Sequence, residues 1–321
     1  MKVHLGVDVG SITTKFAVLD GEDQPVTDLY LRTLGRPVQI VQEGLLQLAR
    51  QLARQLPAGV EVASVGVTGS ARRLTGIVVG ADVVKNEITA HAVAAASVVP
   101  DLRTVFEIGG QDSKLILLDD GIVTDFAMNS VCAAGTGSFL DQQAYRLNLP
   151  VEEIGPLALH SQQPVRIAGR CTVFAESDMI HKQQMGHQME DILYGLCQAL
   201  ARNYLNNLAL GKELRPPVVF QGGVAANAGM VRAFEETLEM PVLVPPHYEV
   251  MGAIGAAMLA REYMSHNGGN TCFKGFAASE MDYATRSFEC LGCSNLCEVI
   301  EIHVGREVLA RWGGRCGKWE M

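Results

Sequence analysis

A repeated pattern of strand, glycine turn and strand constrains the fold of this chain more than any other feature. Residues 2 to 19 read K-V-H-L-G-V-D-V-G-S-I-T-T-K-F-A-V-L, and residues 105 to 118 read V-F-E-I-G-G-Q-D-S-K-L-I-L-L. Both segments place an acidic residue near the end of an apolar strand, then a glycine turn with polar side chains, a lysine and a second apolar strand. The recurrence indicates an internal duplication of one hairpin.

The two turns are typical of phosphate-binding loops. Glycine leaves backbone N–H groups open to a phosphate, and the neighbouring hydroxyls and lysine add donors and positive charge. Asp8 ends the first strand, where a carboxylate can hold Mg²⁺ directly or through water. One such segment is explained equally well as an ordinary surface hairpin, but two that face each other would clamp a polyphosphate from both sides. The predicted phosphate-binding residues are Gly10, Ser11, Thr13, Thr14 and Lys15 in the first hairpin and Gly109, Gly110 and Ser113 in the second.

A third glycine turn follows the apolar strand P-P-V-V-F at residues 216 to 220. The chain continues with Gln221-Gly222-Gly223 and enters a predicted helix near Asn227. A glycine pair at a strand-to-helix turn lets a ligand approach the backbone closely, which suits an adenosine or a ribose. A glycine pair alone is weak evidence for a ligand site. It becomes stronger evidence here because it is the third glycine turn at the end of a strand in this chain.

Two cysteines lie where the chain enters predicted helices. Cys132 stands in N-S-V-C-A-A-G-T-G-S-F-L-D, ahead of a predicted helix over residues 137 to 147, and Cys171 directly precedes another predicted helix. A helix N-terminus stabilises a thiolate and therefore favours metal ligation. A four-iron cluster normally needs about four cysteine ligands, so two chains related by a two-fold axis would complete one cluster. A buried core cysteine is the alternative for Cys132, and it is the preferred interpretation of Cys197.

The composition changes beyond Ser265. A linker, H-N-G-G-N, leads to C-L-G-C-S-N-L-C, whose cysteines are spaced C-x-x-C-x-x-x-C. Such a run is poor as strand or helix core and typical of a metal site, although unpaired reduced thiols are the alternative. Four thiolates suffice for a tetrahedral zinc site or a second iron-sulfur cluster, and spacing leaves the metal undecided. The predicted ligands are Cys290, Cys293, Cys297 and Cys316.

The composition argues against several classes of partner. A chain of 321 residues, 48% of them hydrophobic, is sufficient for two ordinary domains. The formal charge is −9 and there is no basic block, so we expect neither nucleic acid nor an anionic membrane as a partner. The N-terminus reads as a strand rather than a signal peptide, so we expect a cytoplasmic protein. Eight cysteines in that setting favour metal or redox chemistry over disulfides.

Taken together, the motifs resemble one family. The succession D-V-G-S-I-T-T-K, I-G-G-Q-D-S-K, N-S-V-C-A-A-G-T-G-S-F-L-D, C-T-V-F-A-E-S-D-M and Q-G-G-V-A-A-N covers roughly residues 1 to 263. It is similar to the ATP-dependent activators of 2-hydroxyacyl-CoA dehydratases and their relatives that serve benzoyl-CoA reductases. These belong to the acetate and sugar kinase, Hsp70 and actin superfamily. The tail resembles extensions of larger activase-like proteins rather than the short activators, which leaves the partner open.

The resemblance implies an α/β fold with two ribonuclease-H-like domains of this superfamily, a nucleotide cleft between them and a small Cys-rich C-terminal extension. The expected domains are residues 1–100, 101–265 and 266–321, with the last helix of the core returning to the first domain. The resemblance also implies a homodimer. Each subunit would bind ATP or ADP with Mg²⁺, and one [4Fe-4S] cluster would bridge the two subunits through Cys132 and Cys171 of each chain.

The same resemblance gives roles to individual residues. Asp8 is the carboxylate on the magnesium side, and Gln111 and Asp112 are candidates for orienting the attacking water. The residues that line the adenosine side are Gly222, Gly223 and Asn227. Glu107 stands where superfamily members commonly have aspartate, and it receives no direct metal role.

The implied activity couples ATP hydrolysis to electron transfer in an anaerobic setting. Hydrolysis changes the angle between the helices that follow the two cysteines, and a low-potential electron passes to a partner iron-sulfur dehydratase or reductase, with ferredoxin or flavodoxin as the donor. One alternative is a small-molecule kinase of the same superfamily, since nucleotide motifs do not separate hydrolysis from transfer to a hydroxyl. The other is a non-redox regulatory or chaperone-like ATPase, which needs no iron.

Overall fold

The computed structural model describes residues 1–56, 59–129 and 131–319 of the chain. The chain divides into two compact units, of which the first combines Met1–Glu87 with Gly252–Met321 and the second is Ile88–Met251. These units begin and end at other residues than the predicted domains 1–100, 101–265 and 266–321. No helix in the described part of the chain has both the length and the apolar character needed to cross a bilayer.

The described residues form strands and α-helices in a mixed order. The strands are β1 (Lys2–Val9), β2 (Thr13–Leu19), β3 (Pro25–Arg32), β4 (Glu61–Thr68), β5 (Val83–Val84), β6 (Thr104–Ile108), β7 (Ser113–Asp119), β8 (Ile122–Asn129), β9 (Val218–Gln221), β10 (Val242–Leu243), β11 (Tyr283–Glu289), β12 (Glu298–Val304) and β13 (Glu307–Trp312). The helices are α1 (Pro37–Gln55), α2 (Arg72–Val79), α3 (Glu87–Val98), α4 (Gly137–Leu147), α5 (Val151–Ala158), α6 (Thr172–Gln184), α7 (Met189–Tyr204), α8 (Ala228–Leu238) and α9 (Met251–Asn267).

The two large sheets share one topology. The first unit has the strand order β3-β2-β1-β4-β5, and the second has β8-β7-β6-β9-β10. In each sheet the first three strands along the chain pair antiparallel, and the last two join in parallel. The matching orders confirm the internal duplication that the two hairpins predict. They also confirm the α/β fold class with two ribonuclease-H-like domains.

In the first unit, α9 packs closely on the central strands because both partners lack bulk. A Cβ added at Gly6 of β1 would lie 1.8 Å from the carbonyl oxygen of Ala253, and one at Gly66 of β4 would lie 1.9 Å from that of Ala256. Real side chains cannot fit at such distances. The small residues of α9 therefore let its backbone lie directly on the sheet.

The core of the second unit centres on aromatic rings from the sheet and from helices α7 and α8. The ring centroid of Phe234 lies 5.0 Å from that of Phe106, 5.2 Å from that of Phe220 and 5.4 Å from that of Tyr204. Such tilted and edge-on pairs add to the hydrophobic stabilisation. Cys197 is fully buried in this core, which confirms the core-cysteine interpretation, and burial raises the pKa of its thiol to about 12.

A small antiparallel sheet, in the order β11-β12-β13, completes the C-terminal part of the chain. Ile302 and Ala310 of this sheet are buried in the same hydrophobic core as the strands and helices of the first unit. The Tyr283 hydroxyl donates to the carbonyl oxygen of Val78 at 2.9 Å. The small sheet is therefore packed on the rest of the first unit by apolar contacts as well as hydrogen bonds.

Candidate functional site

The first hairpin closes its turn with a backbone hydrogen bond, from the Gly10 N–H to the carbonyl oxygen of Thr13 at 2.9 Å. This bond leaves Ser11 exposed at the tip. Asp8 and Lys15 lie directly opposite each other on β1 and β2, and the Lys15 Nζ is 3.0 Å from the Asp8 Oδ2. The carboxylate that the sequence assigns to magnesium is therefore buried and held in place by a lysine.

The two threonines of this hairpin are both buried. The Thr14 hydroxyl lies 2.9 Å from the hydroxyl of Thr33, which donates in turn to the carbonyl oxygen of Gly10 at 2.9 Å. Thr14 and Thr33 therefore support the glycine turn from within the unit.

The second hairpin repeats this geometry 99 residues later in the chain. The Gly109 N–H donates to the carbonyl oxygen of Asp112 at 3.0 Å, and Glu107 lies directly opposite Lys114. The Lys114 Nζ is 2.8 Å from the Glu107 Oε2 and 3.0 Å from the Asp112 Oδ1. Glu107 thus occupies the position that Asp8 has in the first hairpin. Gln111, at the tip, is exposed.

Lys114 is a site residue that the sequence reasoning did not single out. Its side chain is only 2% exposed, and it holds both the strand carboxylate Glu107 and the turn carboxylate Asp112. The signal was present in the sequence, because Lys114 has the same spacing from its glycine turn as Lys15.

The second turn contacts the first turn of α4, the helix that follows Cys132. The N–H groups of Gly137 and Ser138 donate to the carbonyl oxygens of Gly109 and Gly110, each at 2.8 Å. The Ser138 hydroxyl donates to the same Gly110 oxygen. Helix N-termini leave N–H groups without intrahelical partners, and here the glycine turn accepts two of them. The glycine turn and the first turn of α4 are therefore connected directly by hydrogen bonds.

Cys132 is exposed and lies in a turn held by one asparagine. The Asn129 side chain accepts from the Cys132 N–H at 3.0 Å and donates to the Cys132 carbonyl oxygen at 2.9 Å. A 3₁₀ turn, Ala133–Gly135, then separates Cys132 from α4. Cys132 is therefore the N-cap residue of this 3₁₀ turn, five residues before the predicted helix begins at Gly137.

Cys171 occupies the N-cap position of α6, as the sequence predicts. Its backbone is extended, its side chain is partly exposed, and its carbonyl oxygen accepts from the Ala175 N–H at 2.9 Å. The Asp178 carboxylate accepts from the Ala168 N–H at 2.9 Å, which ties the preceding segment to the same helix.

One buried side chain contacts the segments of both cysteines. Asn203 of α7 donates its side-chain N–H to the carbonyl oxygen of Gly169, two residues before Cys171. A Cβ added at Gly135, three residues after Cys132, would lie 2.7 Å from the Asn203 Oδ1. The two cysteine segments therefore meet at the same end of α7. Sequence reasoning missed Asn203, because a polar residue in a helix carries no local sign of such contacts.

The helices after the two cysteines are also joined, by an ion pair between Arg146 of α4 and Glu176 of α6. The hydrogen bond to Glu176 raises the pKa of Arg146 further. Beside the cysteines the surface is apolar: the Val131 side chain is 96% exposed, and Val173 and Phe174 are each 67% exposed. Exposed apolar groups of this kind are typical of a surface that a partner covers.

The third glycine turn packs directly on the end of β6. Gly222 has a φ of +89°, and a Cβ there would lie 2.5 Å from the carbonyl oxygen of Ile108 and 2.8 Å from the Glu107 Oε1. Only glycine fits, for steric and conformational reasons together. The Gly222 N–H donates to the carbonyl oxygen of Tyr248 at 2.9 Å, and Gly223 begins a 3₁₀ turn.

Asn227 caps α8, since its Oδ1 accepts from the Met230 N–H at 3.1 Å. Its Nδ2 atom is buried and has no hydrogen-bond partner in the described part of the chain, and the same is true of the Ser113 Oγ. Buried polar atoms normally have partners. An unpaired amide donor at the third glycine turn and an unpaired hydroxyl in the second hairpin therefore fit a polar ligand. The Asp8 carboxylate is the hard oxygen ligand that Mg²⁺ prefers.

The cysteine donor sets fit soft metals. Cys132 and Cys171 offer two accessible thiols per chain, which is half of what a four-iron cluster needs. The four tail cysteines lie around one end of the small sheet, between β11 and β12 and beyond β13. Among the residues that the structure describes, no three His, Cys, Asp or Glu side chains are already close enough to hold a metal ion together.

The repeated sheets with their paired glycine turns define an ATPase fold of the acetate and sugar kinase, Hsp70 and actin type. Within it, the chain belongs to the BadF/BadG/BcrA/BcrD ATPase family, whose model matches residues 5–260. This match confirms the resemblance that the motifs indicate. The small C-terminal sheet lies beyond the matched residues.

Individual relatives agree with this assignment. The chain is 34% identical over 262 residues to the 2-hydroxyisocaproyl-CoA dehydratase activator of Clostridioides difficile, covering 80% of this chain and 94% of the relative. It is 36% identical over 263 residues to the (R)-2-hydroxyglutaryl-CoA dehydratase activating ATPase of Acidaminococcus fermentans, covering 80% and 96%. The solved structure of the activator of the 2-hydroxyisocaproyl-CoA dehydratase from Clostridium difficile with bound ADPNP superimposes with a TM-score of 0.72 at 31% identity, covering 82% of this chain and 96% of that one.

Proposed function

We propose that this protein is an ATP-hydrolysing activator that injects a low-potential electron into a partner iron-sulfur enzyme. Membership of an ATPase family and relatives named as dehydratase activators support the proposal. The structural observation that carries it is the set of hydrogen bonds between the glycine turn at Gly109–Gly110 and the start of α4, because they connect a phosphate-binding loop to the segment that contains Cys132.

In this proposal the two glycine turns bind the phosphates of ATP. Bound with Mg²⁺, ATP supplies a phosphoryl group whose transfer to water is energetically favourable. Backbone N–H groups at Gly10–Lys15 and Gly109–Ser113 and the Lys15 ammonium neutralise the phosphate charge, and Asp8 holds the metal. Gln111 and Asp112 orient the attacking water, and Lys114 fixes the position of the Asp112 carboxylate.

The cluster site needs two copies of the chain. A [4Fe-4S] cluster, when bound, supplies a one-electron store at low potential. Cys132 and Cys171 of each subunit hold it, and the exposed apolar side chains of Val131 and Phe174 would be covered by the second subunit. The electron donor is a ferredoxin or flavodoxin, and all of these steps take place in an anaerobic cytoplasm.

Coupling between the two sites follows from the bonded contacts. A change in the phosphates at the glycine turn displaces the carbonyl groups of Gly109 and Gly110, and α4 must follow or lose its contacts at Gly137 and Ser138. Asn203 then links that movement to the Cys171 segment. Such a two-state shift changes the exposure and hydrogen bonding around the cysteine sulfurs, which set the potential of a cluster.

The acceptor we propose is an iron-sulfur dehydratase or reductase that acts on a CoA thioester. Two relatives are named for dehydratases, and the chain is also 31% identical over 177 residues to a benzoyl-CoA reductase subunit of Thauera aromatica. The kinase and the non-redox ATPase predict a protein without iron.

The decisive experiment is anaerobic purification followed by iron, sulfide and nucleotide analysis. The activator hypothesis predicts about four iron atoms at the dimer interface, lost in Cys132→Ala and in Cys171→Ala while ATP binding persists. Iron content unchanged in both variants, or a colourless dimer after reconstitution, would reject it.

A second experiment tests the coupling. Ser138→Ala removes a hydroxyl contact to Gly110 and should weaken the dependence of electron transfer on ATP, with ATP binding retained. Ser177→Ala is the matched control, because that hydroxyl donates to the Val173 carbonyl oxygen within α6. Equal effects of the two substitutions would reject the coupling route.

A further inference from the structure

The C-terminal sheet brings thiols to one of its ends, outside the residues matched by the ATPase family. Glu289 of β11 and Glu298 of β12 pair directly across the sheet. Cys290 and Cys297 continue this register, and the Cys290 N–H donates to the Cys297 carbonyl oxygen at 2.8 Å. Directly opposite residues have Cβ atoms about 4.5–5.5 Å apart on one face of the sheet. Two of the four thiols therefore start from neighbouring positions on the same face.

The remaining two cysteines lie on segments next to this pair. Cys293 is in the short loop that joins β11 to β12, and Cys316 is in the turn after β13. The Trp319 indole N–H donates to the Cys290 Sγ at 3.2 Å, and its ring packs against Phe288 with centroids 5.0 Å apart. Because Cys316 is three residues before Trp319, the same contact brings the Cys316 turn to the loop.

One ammonium group, that of Lys318, reaches the thiol loop at this end of the sheet. A Cβ at Gly292 would lie 3.4 Å from the Cys290 Sγ and 3.7 Å from the Lys318 Nζ, so the ammonium reaches the loop. The Arg311 guanidinium lies 5.6 Å from the centre of the Trp319 ring and is paired with Glu301, and Glu289 and Glu298 end the two strands beside Cys290 and Cys297. Four thiolates around one divalent ion have a net charge of about −2, and nearby cations offset such a charge. Four neutral thiols would need no offset.

We propose that Cys290, Cys293, Cys297 and Cys316 bind one divalent thiophilic metal ion, Zn²⁺, in a tetrahedral site. The four thiols release their protons as the ion takes four sulfur ligands at about 2.3 Å. The sulfurs are not yet converged on a common centre, so the loop and the C-terminal turn close around the ion as it binds. The N–H of Trp319 stabilises the Cys290 thiolate in the way that outer contacts support other metal ligands.

The role of this site is structural. Leu291 and Leu296 of the loop are exposed, and Leu296 adopts a left-handed φ of +43°. A short loop with exposed apolar side chains and strained backbone gains its fixed conformation from the metal, as in other small thiolate sites. The proposal is independent of the proposed electron transfer, since it concerns different cysteines in the other compact unit.

The test uses the full chain with Cys132→Ala and Cys171→Ala, so that a bridging cluster contributes no iron. After anaerobic purification and zinc loading we expect about one zinc per chain. Cys290→Ser and Cys316→Ser should each lose it, while Cys272→Ser, at an exposed cysteine of the same unit, should retain it. Trp319→Phe keeps the ring and removes the N–H, and it should weaken zinc binding about 10- to 100-fold.

Cobalt gives a readout that requires no substitution among the four tail cysteines. Co²⁺ added to the same chain should produce the sulfur-to-metal charge-transfer and tetrahedral ligand-field bands of a four-thiolate site, and zinc should displace it. A spectrum without thiolate bands, zinc retained by Cys290→Ser, or iron with acid-labile sulfide at these cysteines would each overturn the proposal.

Discussion

Lys114→Met probes the buried charge cluster beneath the second glycine turn. The Lys114 ammonium is 2% exposed and lies 2.8 Å from a carboxylate oxygen of Glu107, whose side chain is 5% exposed. Removing one partner of a buried ion pair costs about 3–5 kcal/mol, because the remaining charge stays in a poorly solvated place. An exposed pair contributes only about 0–1 kcal/mol. We therefore expect Lys114→Met to lower the free energy of unfolding by about 3–5 kcal/mol.

Urea denaturation followed by circular dichroism measures this loss. With a slope of about 2 kcal/mol per molar urea, the midpoint should fall by about 1.5–2.5 M. Lys212→Met is the control, since Lys212 pairs with the half-exposed Asp125 and should cost about 1 kcal/mol or less. The double variant Lys114→Met/Glu107→Met should recover most of the loss, because a buried pair replaced by apolar side chains is often neutral. A Lys114→Met loss no larger than that of the control, or strictly additive losses in the double variant, would refute the reasoning.

Three further predictions concern single residues of the same unit. Gly222→Ala should lower the free energy of unfolding by about 2–5 kcal/mol, because the residue has a positive φ and an added Cβ would clash with Ile108. Gly121→Ala is the control, since Gly121 has a positive φ but open space around it, and it should cost about 1–2 kcal/mol. Equal shifts of the melting temperature in the two variants would contradict the steric argument. Asp191 accepts two backbone N–H groups and a hydroxyl, and these bonds, led by the backbone bond from Gln163, hold its pKa below the ordinary value. The stabilisation by Asp191 is present above about pH 4 and is lost as the pH falls through its lowered pKa. The difference in unfolding free energy between wild type and Asp191→Ala, measured by urea titration, should therefore shrink in acid. A difference that stays constant with pH would count against this role of Asp191. Asn203→Leu should lower the free energy of unfolding by about 1–3 kcal/mol and speed the alkylation of Cys132 and Cys171. Unchanged alkylation rates would show that Asn203 does not order the two cysteine segments.

The parts of the site that sequence predicts well are those set by local pattern. The repeated pattern of strand, glycine turn and strand predicts both glycine turns, and the predicted helix over 137 to 147 matches α4. The turn at Cys132 was predicted less well, because Asn129 reshapes it through side-chain bonds that no periodicity encodes. Helix α7 continues beyond Tyr204 as a π-helical turn, Leu205–Ala209, which no local pattern predicts.

Contacts between distant segments account for what sequence could not predict. Asn203 contacts Gly169, 34 residues earlier, and Lys114 accepts a hydrogen bond from Tyr204 at its carbonyl oxygen, 90 residues away. Both residues look ordinary in their own segments, one as a polar helix residue and one as a strand lysine. Their importance comes from tertiary packing, which a single sequence does not display.

The duplicated halves differ at the point where the chain leaves the third strand of each sheet, and Cys132 lies at that point in the second unit. After β3, the chain contacts the first glycine turn through Thr33, whose N–H donates to the carbonyl oxygen of Ile12 at 2.8 Å and whose hydroxyl donates to that of Gly10 at 2.9 Å. After β8, a longer segment that includes Cys132 precedes the return, and the contact is made by the first turn of α4. Thr33 lies on the short connection between β3 and α1 and supports the turn locally. A helix can carry a displacement along its length, so the return contact in the second unit suits the proposed link between the glycine turn at Gly109–Gly110 and the Cys132 segment.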